Sequence, residues 1–218
     1  MIEMTLREIA DVVGGTLHDV PDPAARVTGS VEFDSRRIGS GDLFLALPGE
    51  HVDGHDYADA AIAAGATAVL AARPMGVPAI VVAPNPGSVP SSSVALSGDS
   101  DGSGAAVLAA LADLARASVQ RLTAAGSLTV IGVTGSSGKT STKDLLAAVL
   151  APLGPVVAPP GSFNNELGHP WTALRANAET RFLVLELSAP RAGQITPQPP
   201  GTPPAQRRRR KQRPPPNG

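Results

Sequence analysis

The 218-residue chain has no cysteine, which excludes a disulfide framework and any thiolate metal site and leaves nothing pointing to an oxidising compartment. Aromatic residues make up only 3%. Packing therefore falls to Ala, Val and Leu, which suits helices laid closely on a sheet. No apolar run approaches 18 residues, and the amino-terminal stretch MIEMTLREIADVV lacks a basic segment followed by an apolar stretch of signal-peptide length. A soluble cytoplasmic protein with no membrane partner is expected. Acidic side chains are missing from one whole region: residues 189–218 carry seven basic and no acidic side chains, whereas residues 1–188 carry 11 basic and 19 acidic. The net charge of −1 thus conceals −8 in the first part and +7 in the second, two different kinds of polymer.

What is present is enough for real cores, at 42% hydrophobic content and a length that holds one large or two small domains. The most informative stretch is LTVIGVTGSSGKT, residues 128–140. Leu128, Val130, Ile131 and Val133 form a short apolar run rich in β-branched residues, which predicts a strand buried on both faces of a parallel sheet. The loop Thr134, Gly135, Ser136, Ser137, Gly138 follows, then Lys139 and Thr140 open a helix. Gly135 and Gly138 permit unusual φ angles and remove side chains, so successive backbone N–H groups can turn toward an anion. The helix start adds unsatisfied amides and a partial charge of roughly +0.5. Lys139 supplies a full charge for the β- and γ-phosphates of ATP, and the Thr140 hydroxyl suits a Mg²⁺ ligand. The strict phosphate-loop pattern wants Gly where this chain has Val133, so this is a shorter variant. The plain alternative is a serine-glycine turn before an ordinary helix.

Along the chain, Thr5 and Glu8 have capping-box spacing ahead of a helix to Val13, stopped by Gly14 and Gly15. Strands are predicted at 27–33, 42–47, 67–71 and 79–83, with a helix over 57–64. Residues 1–83 read as a small α/β domain. Fourteen of the 21 residues from 84 to 104 are Pro, Gly or Ser, a linker or long insertion. A helix over 105–122 leads into the phosphate-loop strand. The next helix gains an apolar face from Leu145, Leu146, Val149 and Leu150 and stops at Pro152 and Gly154. A strand at 155–158, a helix over 171–176 and the strand FLVLEL, 182–187, complete the pattern. Alternating strands and helices predict a doubly wound parallel sheet with its ligand at the strands' carboxyl ends. Residues 105–188 therefore read as a parallel-sheet α/β unit built around the phosphate loop.

Three blocks together, DSRRIGSGDLFLALPGEHVDGHDY (34–57), TGSSGKTSTKD (134–144) and GSFNNELGHP (161–170), resemble the Mur ligases of peptidoglycan synthesis. GSSGKT rather than GTNGKT, and FNNELG rather than a TST-type segment, are more similar to the member that adds D-alanyl-D-alanine to UDP-N-acetylmuramoyl-tripeptide than to the one adding the third peptide residue. Folylpolyglutamate synthetase shares the ATP-domain logic, but the first block argues against it. The resemblance implies a UDP-substrate-binding domain over 1–83, a partial ATP-binding domain over 105–188 and, in the family, a closing third domain. It also implies that ATP and Mg²⁺ phosphorylate the peptide's terminal carboxylate, and that an incoming amine attacks the acyl phosphate. Lys139 would be the catalytic cation. Glu186 would be the metal-binding glutamate, since a carboxylate within FLVLEL is costly to bury unless paired or on a metal; a solvated strand end is the alternative. Asn164 and Asn165 would lie near the nucleotide and the acceptor carboxylate, though adjacent amides equally suit capping a turn. Ser35 and Arg36 would contact uracil and diphosphate, or else form a strand-end turn with a solvated arginine. His51, His55 and His169 are too scattered for a metal site and read as surface or turn residues. A monomer is expected.

Beyond residue 188 the periodicity stops, with nine prolines and one large apolar residue, Ile195. Ordering 30 such residues would cost on the order of 30–60 kcal/mol of backbone entropy, so disorder is expected. In the family, further strands, a carbamylated lysine and the third domain follow that point. Their lack here raises the expectation of a truncated or frame-shifted ligase, impaired in this chain. The alternatives are a non-catalytic nucleotide-binding fragment or another Mur ligase. The RRRRK run, 207–211, attracts phosphate nonspecifically, but no aromatic residue is interleaved to read bases, so no specific nucleic acid is expected.

Overall fold

The computed structural model describes residues 1–49, 52–84 and 99–187. Most of the expected linker, His51 and the whole Pro/Arg-rich tail lie outside them. The elements run β1 (Met4–Thr5), α1 (Leu6–Val13), β2 (Thr16–His18), β3 (Arg26–Val27), β4 (Val31–Glu32), β5 (Leu43–Leu45), α2 (Ala58–Ala63), β6 (Ala68–Ala71), β7 (Ala79–Val81), α3 (Ser103–Ala124), β8 (Thr129–Val133), α4 (Lys139–Leu150), β9 (Val156–Val157), α5 (Gly168–Leu174) and β10 (Phe182–Glu186).

The capping box forms as read. Thr5 Oγ1 accepts from the Glu8 amide at 3.1 Å while Glu8 Oε2 accepts from the Thr5 amide at 2.8 Å. Gly14 closes α1 in the left-handed region at φ +64°, where a side chain is costly. Five strands then form one sheet in the order β2-β7-β6-β5-β4, parallel except for β2, which is antiparallel to β7. Side chains alternate between its faces. Leu43, Leu45 and Leu70 join Leu6 and Ile9 of α1 in one buried cluster, while Phe44, Val69 and Ala71 meet Ala58 and Ala61 of α2 in another.

The strand expected over 27–33 divides in two. β3 pairs antiparallel with β1, whereas β4 pairs in parallel with β5. Between them the Thr28 and Gly29 amides turn to the Gly41 carbonyl, and Ser30 donates to the buried Asp42 carboxylate. β1 and β2 have no counterpart among the expected strands.

The second sheet has three parallel strands in the order β8-β10-β9. α3 lies against both α1 and α5, and its Leu111 and Leu114 share one cluster with Leu174 and Leu183. The single tryptophan adds a directional link, Trp171 Nε1 donating to the Val31 carbonyl at 2.9 Å. Phe33 and Phe163 stand tilted or edge-on to one another and to Trp171, at ring separations of 5.6–6.1 Å.

One expectation fails here. β8 is not buried on both faces; among the described residues it is an edge strand, with Val130 44% exposed. The apolar face of α4 forms as expected and is exposed, Leu145 at 65% and Val149 at 61%. Only Lys143 of that helix is buried. Smaller shifts have local causes. α3 starts at Ser103 because Asp99 accepts from the Gly104 and Ala105 amides. α5 starts at Gly168 rather than 171 because Asn165 Oδ1 accepts from the Gly168 amide at 2.8 Å. No helix among the described residues is long and apolar enough to cross a membrane.

Candidate functional site

Parallel pairing sets Val133 of β8 opposite Glu186 of β10, and the Leu187 amide donates to the Val133 carbonyl at 2.8 Å. The loop leaving β8 and the end of β10 therefore open together at the carboxyl edge of the sheet, where parallel sheets hold ligands. Thr134, Gly135, Ser136, Ser137 and Gly138 are all exposed. Gly138 turns into α4 at φ +73° with nothing within 4 Å of a would-be Cβ, so glycine is required there by backbone angle rather than by space. At Gly135 a Cβ would meet nothing nearer than the Ser137 carbonyl oxygen at 3.6 Å, so the loop is not closely packed there. The first helical bond of α4 runs from the Thr142 amide to the Gly138 carbonyl, and the amides before it have no intrahelical acceptor. Lys139 folds back over the loop, its Nζ 2.9 Å from the Gly135 carbonyl.

Behind the loop sits Glu186, only 2% exposed. Thr140 Oγ1 donates to its Oε2 at 2.9 Å and Asn164 Nδ2 to its Oε1 at 2.8 Å. It is thus a paired buried carboxylate rather than a solvated strand end. The Thr140 bond uses the hydroxyl hydrogen and leaves the oxygen lone pairs available. Hydroxyl and carboxylate oxygens suit a hard cation such as Mg²⁺, which commonly takes one or two protein ligands together with phosphates and water. Among the described residues no group of three or more His, Cys, Asp or Glu could hold a metal ion.

The two asparagines divide the work. Asn164 meets Glu186, while Asn165 caps α5, its side chain taking the Gly168 amide and its carbonyl the His169 amide. Ser35 and Arg36 lie in a short 3₁₀ turn after β4, capped by Asp34. Arg36 donates from Nε and Nη2 to both Asp34 oxygens at 2.8 Å, and this fork, with the Arg36 amide, holds the Asp34 carboxyl down at about 2. The ring contacts of Phe33 bring this turn beside the loop that carries Asn164.

Sequence reasoning missed three residues. His55, expected as a surface or turn residue, lies in the 3₁₀ turn Gly54–Tyr57 but is only 6% exposed; it pairs with Asp53 through Nδ1 at 2.6 Å and receives the Ala72 amide at Nε2. His169 Nε2 bonds to the Glu186 carbonyl. Lys143, one helical turn beyond Lys139, is buried at 1% exposure with Nζ on the Pro159 and Gly161 carbonyls. The i, i+4 spacing of the two lysines was the available signal. An open hollow of 560 Å³ also lies at the opposite end of the strands, beside Ser127, Leu153 and Arg181. It contains none of the phosphate-loop residues, and the donors described above converge elsewhere.

Two family models match the chain: "Mur ligase family, catalytic domain" over residues 28–118 and "Mur ligase middle domain" over residues 133–198. The second continues past residue 188, where the resemblance was expected to stop. The "UDP-N-acetylmuramoyl-tripeptide--D-alanyl-D-alanine ligase" of Mycobacterium tuberculosis H37Rv is 65% identical over 198 residues, 89% of this chain and 38% of that protein. The Escherichia coli K12 protein of the same name is 34% identical over 197 residues, 89% of this chain and 37% of its own length. Among solved structures, MurF from Acinetobacter baumannii aligns with a TM-score of 0.67 at 30% identity, over 88% of this chain and 36% of that one. MurF ligase from Thermotoga maritima in complex with ADP aligns at 0.56 and 33% identity, over 77% and 34%. The chain spans about 38% of the length of these curated relatives. With two Mur ligase domains matched in order and a relative 65% identical over 89% of this sequence, the chain belongs to the Mur ligase family.

Proposed function

We propose that this chain carries the UDP-substrate and ATP-binding parts of an enzyme that joins D-alanyl-D-alanine to UDP-N-acetylmuramoyl-tripeptide. The observation that carries this reading is the Thr140–Glu186–Asn164 hydrogen-bond chain behind an open glycine loop. When bound, ATP with Mg²⁺ supplies the phosphoryl group that converts the peptide's terminal carboxylate into an acyl phosphate open to attack by the dipeptide's amine. The chain's own residues bind, neutralise and orient. The amides of Gly135, Ser136, Ser137 and Gly138 would hold phosphate oxygens, with Thr134 leading the chain into the loop. Lys139 would neutralise charge between two anions that otherwise repel. Thr140 and Glu186 would furnish oxygen ligands for the cation. Asn164 fixes the Glu186 carboxylate beside the acceptor site, Asn165 holds that loop on α5, and Ser35 with Arg36 would contact the uridine diphosphate. The relatives' names and the ADP complex of a solved neighbour support the same reading.

The test is ADP and ATP affinity of the full chain by calorimetry, beside Lys139→Ala. Losing one charge-assisted phosphate contact is expected to weaken binding by about 10–100-fold. Equal binding by both proteins overturns the reading. Incubation with ATP, Mg²⁺, the UDP-linked tripeptide and D-alanyl-D-alanine then separates ligase from mere binder: ligated product supports the first, and nucleotide binding without product supports a non-catalytic module.

A further inference from the structure

Lys143 has no part in the scheme above, yet it is among the most deeply buried side chains of the molecule. A buried ammonium is expensive unless its donors are met. All three are: Nζ lies 2.7 Å from the Pro159 carbonyl, 3.0 Å from the Gly161 carbonyl and 2.7 Å from Asp144 Oδ1. The choice of partners is informative. Pro159 and Pro160 have no N–H, so this stretch can be tethered from outside only through its carbonyls. Gly161, at φ +53°, then turns the chain toward the asparagine loop. Beyond it the Phe163 amide returns to the Pro160 carbonyl, Asn164 reaches Glu186, and Asn165 is fixed on the start of α5. The loop is clamped at its far end by α5 and at its near end by Lys143, with Asn164 between the clamps.

We infer that Lys143 is a positioning residue for the nucleotide site. It ties the Pro159–Pro160–Gly161 segment to α4, the helix that carries Lys139 and Thr140, so that Asn164 meets Glu186 at a set distance from Thr140. One helix thereby supplies the phosphate contacts and also sets the geometry of the carboxylate beside them. The inference rests on the proposed nucleotide reading and deepens it. It expects Lys143 to govern the cation-dependent part of binding, which passes through Glu186, and to leave the cation-independent part, which belongs to the loop.

The experiment compares the full chain with Lys143→Met, which keeps most of the apolar stem and removes the donors, and with Lys143→Arg. ADP affinity is measured with and without Mg²⁺. In Lys143→Met the Mg²⁺-free affinity stays within about twofold of wild type, while the gain on adding Mg²⁺ falls by about tenfold, the scale for losing an outer partner of a metal ligand. Lys143→Arg restores at least part of that gain. Combined with Asn164→Ala, Lys143→Met adds nothing further, because both act through the same contact. Without any ligand, hydrogen exchange at the Gly168 and His169 amides, both held by Asn165, quickens by about tenfold in Lys143→Met while the Thr142 amide is unchanged. A full Mg²⁺ gain in Lys143→Met, effects additive with Asn164→Ala, or unchanged exchange at these two amides overturns the inference. Should Lys143→Met not fold, Lys143→Gln, which keeps one amide donor, is read in the same way, with a loss of about threefold supporting the inference and none overturning it. Lys139→Ala keeps the two levels apart. If it leaves ADP binding unchanged the cradle reading itself fails; if it weakens binding while Lys143→Met keeps its Mg²⁺ gain, only this inference fails.

Discussion

Replacing Glu186 by Gln and by Ala separates what this carboxylate does for folding from the cation role proposed for it. It is 2% exposed and receives Thr140 Oγ1 at 2.9 Å and Asn164 Nδ2 at 2.8 Å. Hydrogen bonds to a charged group contribute about 1.5–3 kcal/mol each, but both donors are half-buried, so water recovers part of the loss. Glu186→Ala is therefore expected to destabilise by about 2–4 kcal/mol. Glutamine is a gentler change. Its carbonyl accepts from Asn164, its NH₂ donates to Thr140, and the threonine hydroxyl simply reverses its role from donor to acceptor. The cost drops to about 1 kcal/mol. The charge is lost in both variants, and with it a lone pair on Thr140 in the glutamine case. Both should lose at least about tenfold of the Mg²⁺-dependent tightening of ADP. Urea unfolding followed by circular dichroism and Trp171 fluorescence reads the first effect, and calorimetry with and without Mg²⁺ reads the second. A Glu186→Gln protein that keeps the Mg²⁺ gain, or a Glu186→Ala protein as stable as wild type, refutes this account of the site.

Two further outcomes test the surrounding structure. Glu32 is 7% exposed, its Oε2 has no hydrogen-bond partner, and Arg37 stands 3.9 Å from Oε1. Burial pushes its carboxyl above the ordinary range, with Arg37 opposing and Asp42 adding to the rise. The native state then holds the proton longer than the unfolded chain, so stability falls as pH rises from the usual glutamate range through the raised value. Glu32→Gln removes that slope and should gain about 1 kcal/mol at neutral pH. Urea titrations at pH 5 and pH 8 check it: the advantage must be larger at pH 8, and a variant weaker than wild type at both contradicts it. At Gly168 a Cβ would lie 2.5 Å from the Phe163 carbonyl oxygen, a backbone atom that cannot rotate aside. Gly168→Ala should cost about 1–3 kcal/mol and weaken Mg²⁺-dependent ADP binding by shifting Asn164. An unchanged melting temperature together with unchanged binding would rule out so close an approach.

Much of the local geometry was readable because its signals are local. A glycine loop followed by Lys-Thr needs only a few consecutive residues to predict a tight turn into a helix, and the Thr5–Glu8 box needs four. Periodicity likewise announced α1, α2, α3 and the central strands. Burial was less legible. The apolar run before the loop looked like a strand with two covered faces, but an edge position leaves Val130 exposed, and no pattern within the run distinguishes edge from centre. The burial of His55 and Lys143 was not legible, because besides a neighbouring aspartate each meets backbone groups 16–18 positions away, which composition does not display.

The amino-acid order by itself determined most element types, the Thr5 cap, the glycine loop and the Mur ligase resemblance, since each arises from contacts within a few residues or from short motifs. Tertiary structure alone decided that Glu186 is buried and doubly bonded, that one asparagine meets it while its neighbour caps a helix, and that a buried lysine ties the Pro159–Gly161 carbonyls to α4. The physical reason is that desolvation and hydrogen-bond satisfaction are properties of packed neighbours, and parallel strand pairing brings those neighbours together from distant parts of the chain.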